Sequence, residues 1–336
     1  MTGEATRAAV PAGAPAAAAG PALVSVVVPA YDCAAFIGET LDSVLAQTHT
    51  AFEVVVVNDG SPDTPELERS LAPYLARRDG RVRYFEQENR GAGAARNRGI
   101  LEARGEFVAF LDGDDLWLPT YLAEQLRHLE AEGLDLAYTD ALLFGDSPLA
   151  GRTYMETSPS EGPVNFVSLI RSDCNVITSG VVARRAAVLD AGLFDETLRN
   201  AQDFELWARL ARRGARMGYQ RKVLVRYRCR DGSLSGDAEN RLAREWRVTR
   251  HIADTYDLTE RERAEVERML ARQQAAIDFE RGKSLLREGH FVEARAALTA
   301  ARRVFPGWKL TAALLMLRVA PRLLQKLAGE RLRTKP

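Results

Sequence analysis

Four short apolar runs mark the first third of the chain, and each closes on a polar or glycine-bearing turn. LVSVVVPA (23–30) ends at Pro29, and FEVVVVNDGS (52–61) runs into a Gly turn. VRYFEQ (82–87) and EFVAFLDGDD (106–115) follow. Val-rich runs of this length suit strands buried on both faces, as in a parallel sheet. Between them the apolar residues fall at helical spacing: Phe36, Ile37, Leu41, Val44 and Leu45, then Leu67, Leu71 and Leu75. Residues 91–104 read as a third helix. The pattern predicts β-α-β-α-β-α-β, an α/β fold with a mostly parallel, helix-covered sheet. Ligands of such sheets bind beyond the carboxyl ends of the strands. Tyr31, Asp59, Asn89 and Asp112 all follow strand ends, so four strands deliver polar groups to one edge.

The second half is less regular. Residues 138–144, 179–186 and 222–228 read as strands, and 193–214 as a loop entering a helix. After about residue 236 the pattern is wholly helical. Residues 276–304 pair two helices around Gly289, with Ala294, Ala297, Leu298 and Ala301 on the second, similar to one tetratricopeptide-type hairpin. The expected division is a disordered lead-in (1–22), an α/β domain (23–235) and a helical extension (236–336). The lead-in is rich in Ala, Pro and Gly, carries Glu4 and Arg7, and lacks the compact apolar core of a signal peptide. No stretch reaches the roughly 18 apolar residues of a membrane span; the longest, near 310–317, is cut by Arg318.

The C-terminal tail has its own pattern. From Arg302 to Pro336 it carries nine Lys or Arg and one Glu. Placed on a helix, Thr311, Arg318, Arg322, Gln325 and Lys326 share one side, and Leu310, Leu314, Leu317 and Leu324 lie largely opposite. Leu315 breaks the pattern and Pro321 predicts a kink. Two readings stand open: a basic amphipathic segment on an anionic membrane surface, or packing against the preceding helices or a second copy.

Composition changes this picture little. At 46% hydrophobic and 27% charged the chain is an ordinary globular protein, and zero formal net charge gives no reason to expect a nucleic-acid partner. The three cysteines, Cys33, Cys174 and Cys229, have neither metal-ligand spacing nor the makings of a disulfide framework. They fit a reducing, cytoplasmic setting, with the inner face of the membrane open to the basic tail.

The candidate chemistry is acidic. Asp112-Gly113-Asp114-Asp115 places three mutually repelling carboxylates directly after an apolar strand. A hard divalent ion with oxygen ligands, Mg²⁺ or Mn²⁺, relieves that repulsion, and phosphate oxygens complete its shell. A helix N-terminus also welcomes such residues. Asp59 at the end of the second run can accept from a ribose hydroxyl or base N–H, with Gly60 allowing close backbone approach; Asp and Gly also simply make turns. Tyr31, after Pro29 and Ala30, offers an aromatic face at the same edge. Asn89-Arg90-Gly91-Ala92-Gly93 opens a helix whose N–H groups, together with Arg96, can meet a diphosphate. Asp203 precedes the helical run Phe204, Leu206, Trp207, Leu210, where an N-cap is the plainer alternative.

Taken in order, VVVPAYD, VVVVNDGS, ENRGAGAARNRGI, FVAFLDGDDLWLP and AQDFELWARL resemble the family-2 inverting glycosyltransferases of the GT-A fold. The resemblance covers about residues 23–235. It implies a nucleotide-diphospho-sugar-binding, Rossmann-like sheet and a nucleotide-sugar donor, with a saccharide or lipid-linked acceptor. It implies nucleotide contacts at Pro29, Ala30, Tyr31 and Asp59, and donor contacts near Gly91 and Arg96. Asp112 and Asp114 match the DxD motif, with Asp114 the metal ligand and Asp112 also holding the donor. Asp203 matches the catalytic base. A Gln202-Asp203 pair stands where Glu-Asp is frequent. The His found in many members after the last strand is absent from YRCRDGSLS (227–235), which leaves its role to groups such as Arg228 or Arg230. The QxxRW motif of processive synthases is missing, so a single addition is expected. Two rivals share these residues: a non-catalytic nucleotide-sugar binder on the same fold, and a dinucleotide oxidoreductase built on Gly91-Ala92-Gly93. In the second case Arg96 occupies the third glycine position, and the motif sits on the third strand–helix unit rather than the first.

Overall fold

The computed structural model describes residues 21–230 and 238–333. All but the last two residues of the expected lead-in, and 231–235 of the expected α/β domain, lie outside the described residues. Eight strands form one sheet: β1 (Val24–Ala30), β2 (Phe52–Asp59), β3 (Val82–Gln87), β4 (Phe107–Phe110), β5 (Leu116–Trp117), β6 (Leu136–Gly145), β7 (Val182–Arg184) and β8 (Met217–Cys229). Their order is β3-β2-β1-β4-β7-β6-β8-β5. The first four are mutually parallel. β7 then runs antiparallel between β4 and β6, β8 is parallel to β6, and β5 is antiparallel to β8. The sheet is therefore parallel where the strand–helix alternation is regular and mixed where it breaks down.

Helices α1 (Ile37–Leu45), α2 (Thr64–Leu75) and α3 (Ala92–Glu102) flank the parallel half, and α4 (Tyr121–Ala131) packs on β6, β7 and β8. Two short helices, α5 (Tyr154–Thr157) and α6 (Phe166–Ile170), precede a 3-10 turn at Thr178–Gly180. Then come α7 (Arg185–Ala191) and α8 (Gln202–Arg212). β1 and β2 are buried along almost their whole length, as their unbroken apolar runs require. Val26 and Val28 point into one core layer with Ile37, Leu41 and Val56, while Val27 points into the other with Ile100, Phe110 and Trp207. That alternation is the two-residue period of a strand with helices on both sides.

Three strand readings change. The run over 179–186 yields only Val182–Arg184, because Thr178 and Ser179 curl into the 3-10 turn, where their hydroxyls bond carboxylates. The run over 106–115 stops at Phe110, and the chain turns through the aspartates before re-entering the sheet as β5. β8 extends well before 222–228, pairing with β6 along its whole length through a register shift at Asp140.

The C-terminal region is helical: α9 (Ala238–Thr255), α10 (Glu260–Glu288), α11 (Phe291–Arg302), α12 (Trp308–Val319) and α13 (Pro321–Arg333). Thr259 opens α10 with a capping box, and Gly289 closes it at φ +87, a conformation favouring glycine. Val248, Ile252, Leu258 and Val266 pack on Phe166 and Ile170 of α6 and Ala208 of α8. Farther out, Leu286, Ala294, Leu298 and Leu317 form a separate cluster joined by Leu310, Leu314 and Leu324. The leucine face of the tail thus packs inward on the preceding helices. Pro321 starts a new helix rather than kinking a continuous one.

Candidate active site

The acidic elbow lies where β4 ends, between the loops that follow β1 and β8. Gly113 is buried there because an added Cβ would stand 2.8 Å from Cys33 Sγ and 3.3 Å from the Pro29 carbonyl. That contact seats the elbow on the end of β1. The three carboxylates then part company. Asp115 turns inward, 1% exposed, and accepts from the Ser179 hydroxyl and the Arg228 backbone N–H. Burial, then Asp112 and Asp114, push its carboxyl well above the ordinary range. Asp112 accepts from Arg96 Nη2 at 2.6 Å. Asp114 Oδ2 lies 3.0 Å from Arg230 Nε, while its carbonyl accepts from Arg228 Nε. Burial, then repulsion from Asp112, raise the Asp114 carboxyl above its usual value, against the pull of Arg230. The expected cationic relief is thus supplied, in this structure, by one arginine for each cleft-facing carboxylate.

Arg96 rises from the first turns of α3. Its side chain is almost fully buried, with the guanidinium 5.7 Å from the centre of the Phe194 ring. Burial disfavours its charge, but Asp112 and Asp203 more than offset that and hold it above its ordinary value. Arg96 Nε is buried with no hydrogen-bond partner, whereas Arg230 Nε, also buried, lies 3.0 Å from Asp114 Oδ2 but outside hydrogen-bond geometry. One guanidinium donor beside Asp112 is therefore unpaired, and that of Arg230 is held by ion pairing alone. Buried N–H groups rarely stay unpaired, so the site has room for a further acceptor oxygen.

Asp203 arrives from the far side. Ala201 (φ +53) is the N-cap of α8, so Asp203 sits one residue inside the helix rather than on the cap. Its Oδ2 accepts from Thr178 Oγ1 at 2.7 Å and its Oδ1 from the Phe204 N–H at 2.9 Å. A cavity of about 120 Å³ opens between Asp203 and Asp112, walled by Tyr154, Val176, Ile177, Thr178, Ser179 and Tyr227. Burial, then Asp203, push the Tyr154 hydroxyl up to about 12, so it is a neutral donor there.

The remaining candidates line the same edge with unequal freedom. Asp59 is 3% exposed and already accepts from Gln87 Nε2 and from the Arg90 and Gly91 N–H groups. It shapes the loop leading into α3, which leaves about one of a carboxylate's four acceptor sites for a ligand. Gly60 (φ +60) admits close approach by the chain itself, since a Cβ there would lie 2.7 Å from the Asn89 backbone N. Asn89 is exposed, and Gly91 caps α3 at φ +92. Ala30 is buried, Pro29 half-buried and Tyr31 51% exposed. The Tyr31 loop is held where Ser61 Oγ accepts from the Asp32 N–H and Asp63 from the Ala34 N–H. Arg230 also donates to the Asp32 carbonyl, tying that loop to the elbow.

Sequence reasoning missed Thr178, Ser179, Tyr154 and Tyr227. Thr178, Ser179 and Tyr154 lie in no motif, and Tyr227 only opens the segment 227–235 noted for its missing His; all four line the cavity or bond its carboxylates only once the chain has folded. The only signal for Thr178 and Ser179 was a pair of hydroxyls just ahead of an apolar run.

Residues 25–188 match the family model described as Glycosyl transferase family 2. This stretch, just under half of the chain, belongs to that family. Among curated relatives, an uncharacterized glycosyltransferase of Rickettsia felis is 31% identical over 216 residues, covering 61% of this chain and 34% of that one. The chain spans about a third of the length of the first such relatives. WfaP of Escherichia coli, a UDP-Glc:alpha-D-GlcNAc-diphosphoundecaprenol beta-1,3-glucosyltransferase, is 28% identical over 232 residues, 68% of this chain and 86% of its own. The mannosyltransferase PcManGT of Pyrobaculum calidifontis, solved with GDP-Man and Mn²⁺, superposes with a TM-score of 0.60 at 20% identity. It covers 91% of this chain and 84% of its own, and places the sheet in the GT-A fold.

The donor set fits a divalent metal only as a shared site. Asp112 and Asp114 are hard oxygen donors suited to Mg²⁺ or Mn²⁺. Among the described residues, no three His, Cys, Asp or Glu side chains gather around one point. An ion here would therefore need oxygens from water and from a bound phosphate.

Proposed function

We propose that this family 2 protein transfers a sugar from a nucleoside-diphosphate donor, UDP-linked by preference, to an acceptor hydroxyl, with inversion and one addition per encounter. The reading rests on one observation above the others: two buried guanidinium groups beside the elbow, Arg96 with an unpaired Nε–H and Arg230 ion-paired to Asp114 without a hydrogen bond from its Nε. Diphosphate oxygens are acceptors that both could take. Pro29, Ala30, Tyr31, Asp59 and Gly60 would border the nucleoside, and Asn89, Gly91, Arg96, Asp112 and Gly113 the diphosphate and sugar. Asp114, with Asp112, would hold Mn²⁺ or Mg²⁺. When bound, such an ion neutralises charge on the leaving diphosphate.

The chain's own residues do the rest. Asp203 faces the cavity opposite the elbow, so an acceptor hydroxyl between them loses its proton to Asp203 as its oxygen bonds the sugar's anomeric carbon. The bond from that carbon to the diphosphate breaks with its electrons on the leaving oxygen, where Arg96 and Arg230 stabilise them. Thr178 fixes the direction of the Asp203 carboxylate, and Tyr154 and Tyr227 wall off water. Attack from the face opposite the nucleotide inverts the centre. The names of WfaP and of TuaG of Bacillus subtilis, a putative teichuronic acid biosynthesis glycosyltransferase, support a role in surface polysaccharide synthesis with a saccharide or lipid-linked acceptor.

Full-length protein incubated with a panel of UDP-, GDP- and dTDP-sugars should release nucleotide from one donor class in Mn²⁺ or Mg²⁺ and stop in EDTA. Release that survives EDTA would remove the metal assignment. No release and no thermal stabilisation by any nucleotide sugar, with stabilisation by NAD, would overturn the proposal.

A further inference from the structure

The tail has a second apolar face, on the side of α12 away from the protein. At about 100° per residue, Trp308, Ala312, Leu315 and Val319 fall within one narrow stripe. All four are exposed, Trp308 by 76%, Leu315 by 62% and Val319 by 82%. Leu310, Leu314 and Leu317 lie opposite and pack inward. A helix apolar on both sides is ordinarily buried on both. Leu323 and Leu327 add a second exposed pair on α13, 52% and 43% accessible. Of the eleven exposed large apolar residues among the described ones, six fall between Val304 and Leu327, so this is a concentration rather than scatter.

The surrounding charge selects the occupant. From Arg302 to Leu327 the chain carries Arg302, Arg303, Lys309, Arg318, Arg322 and Lys326, all exposed, and no Asp or Glu, in a protein of zero formal net charge. Lys309 and Arg318 flank the stripe about 100° and 80° to either side on the helical wheel. Lys309 Nζ lies 5.9 Å from the Trp308 ring centre. An aromatic at the stripe's end with cations along both margins suits the boundary between acyl chains and anionic headgroups. A second copy of the same face would bring like charges together. Among the described residues no helix is long and apolar enough to cross a membrane, so the contact lies in the surface plane.

We propose that α12 forms an interfacial anchor whose outer stripe, Trp308, Leu315 and Val319, docks on an anionic phospholipid surface, with the exposed Leu323 and Leu327 of the neighbouring α13 adding apolar area. This is not the leucine face read from the sequence, which the fold buries. The proposal stands apart from the catalytic reading, because flotation and quenching by brominated lipid involve no donor.

Full-length protein should float with vesicles containing phosphatidylglycerol and stay behind with pure phosphatidylcholine, and bound protein should fall as salt rises. The double change Leu315→Glu with Val319→Glu should cut flotation at least tenfold while melting and nucleotide release stay unchanged. Val292→Glu, at an exposed apolar site outside the stripe, should float like the wild type. Brominated acyl chains should quench fluorescence that Trp308→Phe removes. Equal flotation of wild type and double variant would overturn the proposal. So would protein that ignores anionic vesicles but forms a dimer broken by the double variant, which would give the face to self-association.

Discussion

Asp203 and Asp114 differ in what surrounds them, and that separates their expected phenotypes. Asp203 is held by Thr178 and its own helix, facing a cavity. Asp203→Asn keeps the shape and most of the hydrogen bonding but cannot take a proton. Turnover should fall about 10²–10⁴-fold with donor affinity intact, read by titration calorimetry beside steady-state kinetics. Near-normal turnover would exclude Asp203 as base. Asp114→Ala should instead remove the part of nucleotide-sugar affinity that depends on added Mn²⁺, while leaving Arg230 and Arg96 free to grip the diphosphate. Unchanged metal-dependent affinity in the same titration would contradict the assignment. These aspartates were legible because they stand in short contiguous patterns at strand and helix ends. Thr178 and Ser179 were not, since their hydroxyls acquire partners only when the chain between α6 and β7 folds back over the elbow. Asp59 was legible as a strand-end carboxylate, but nothing in the sequence said that it would spend most of its acceptor capacity on the loop entering α3.

The regular elements were legible for the same reason, and the irregular ones were lost for it. β1 and β2 emerge almost residue for residue, because strands covered on both faces leave unbroken apolar runs, and the half-buried edge strand β3 emerges from its β-branched and aromatic residues. β8 was read at half its length because its first residues, Met217-Gly218-Tyr219-Gln220, mix polar and apolar and take strand form only by pairing with β6. Close packing between elements gives a direct test. A Cβ at Gly99 would come within 2.3 Å of Val27 Cγ1, so α3 lies on β1 at a distance only glycine allows. Gly99→Ala must push α3 off the sheet or twist Val27 from its rotamer, costing about 1–3 kcal/mol. Because Arg96 sits one turn earlier on α3, donor affinity should fall along with the thermal midpoint. A midpoint within error of wild type would show that the contact relaxes freely.

At the scale of the molecule, the helical region braces α8, the helix that carries Asp203, rather than trailing from it. Ala208 of α8 packs among Val248, Ile252 and Val266, and buried Glu205, two residues beyond Asp203, accepts from the Tyr256 hydroxyl and from Arg209. A second tie joins α10 to α6. Glu265, 4% exposed, accepts from Arg171 and Arg268, and the Arg171 hydrogen bonds, against the cost of burial and aided by Arg268, hold its carboxyl down to about 2. The sign follows from linkage. A carboxyl that titrates lower when folded stabilises fully above its unfolded pKa, ordinarily near 4.5, and loses that contribution as pH falls toward the folded value. Glu265→Gln should therefore melt several degrees below wild type at pH 7 and pH 5, with the gap narrowing steadily from about pH 4.5 to pH 3 as wild type loses what the variant never had. A gap that stayed constant over that range would mean that the ionised carboxylate does not fasten α10, and that the apolar contacts around Val266 carry the joint alone. If the brace acts on catalysis, nucleotide release by the variant at pH 7 should fail at a lower temperature than that of wild type, tracking the melting gap.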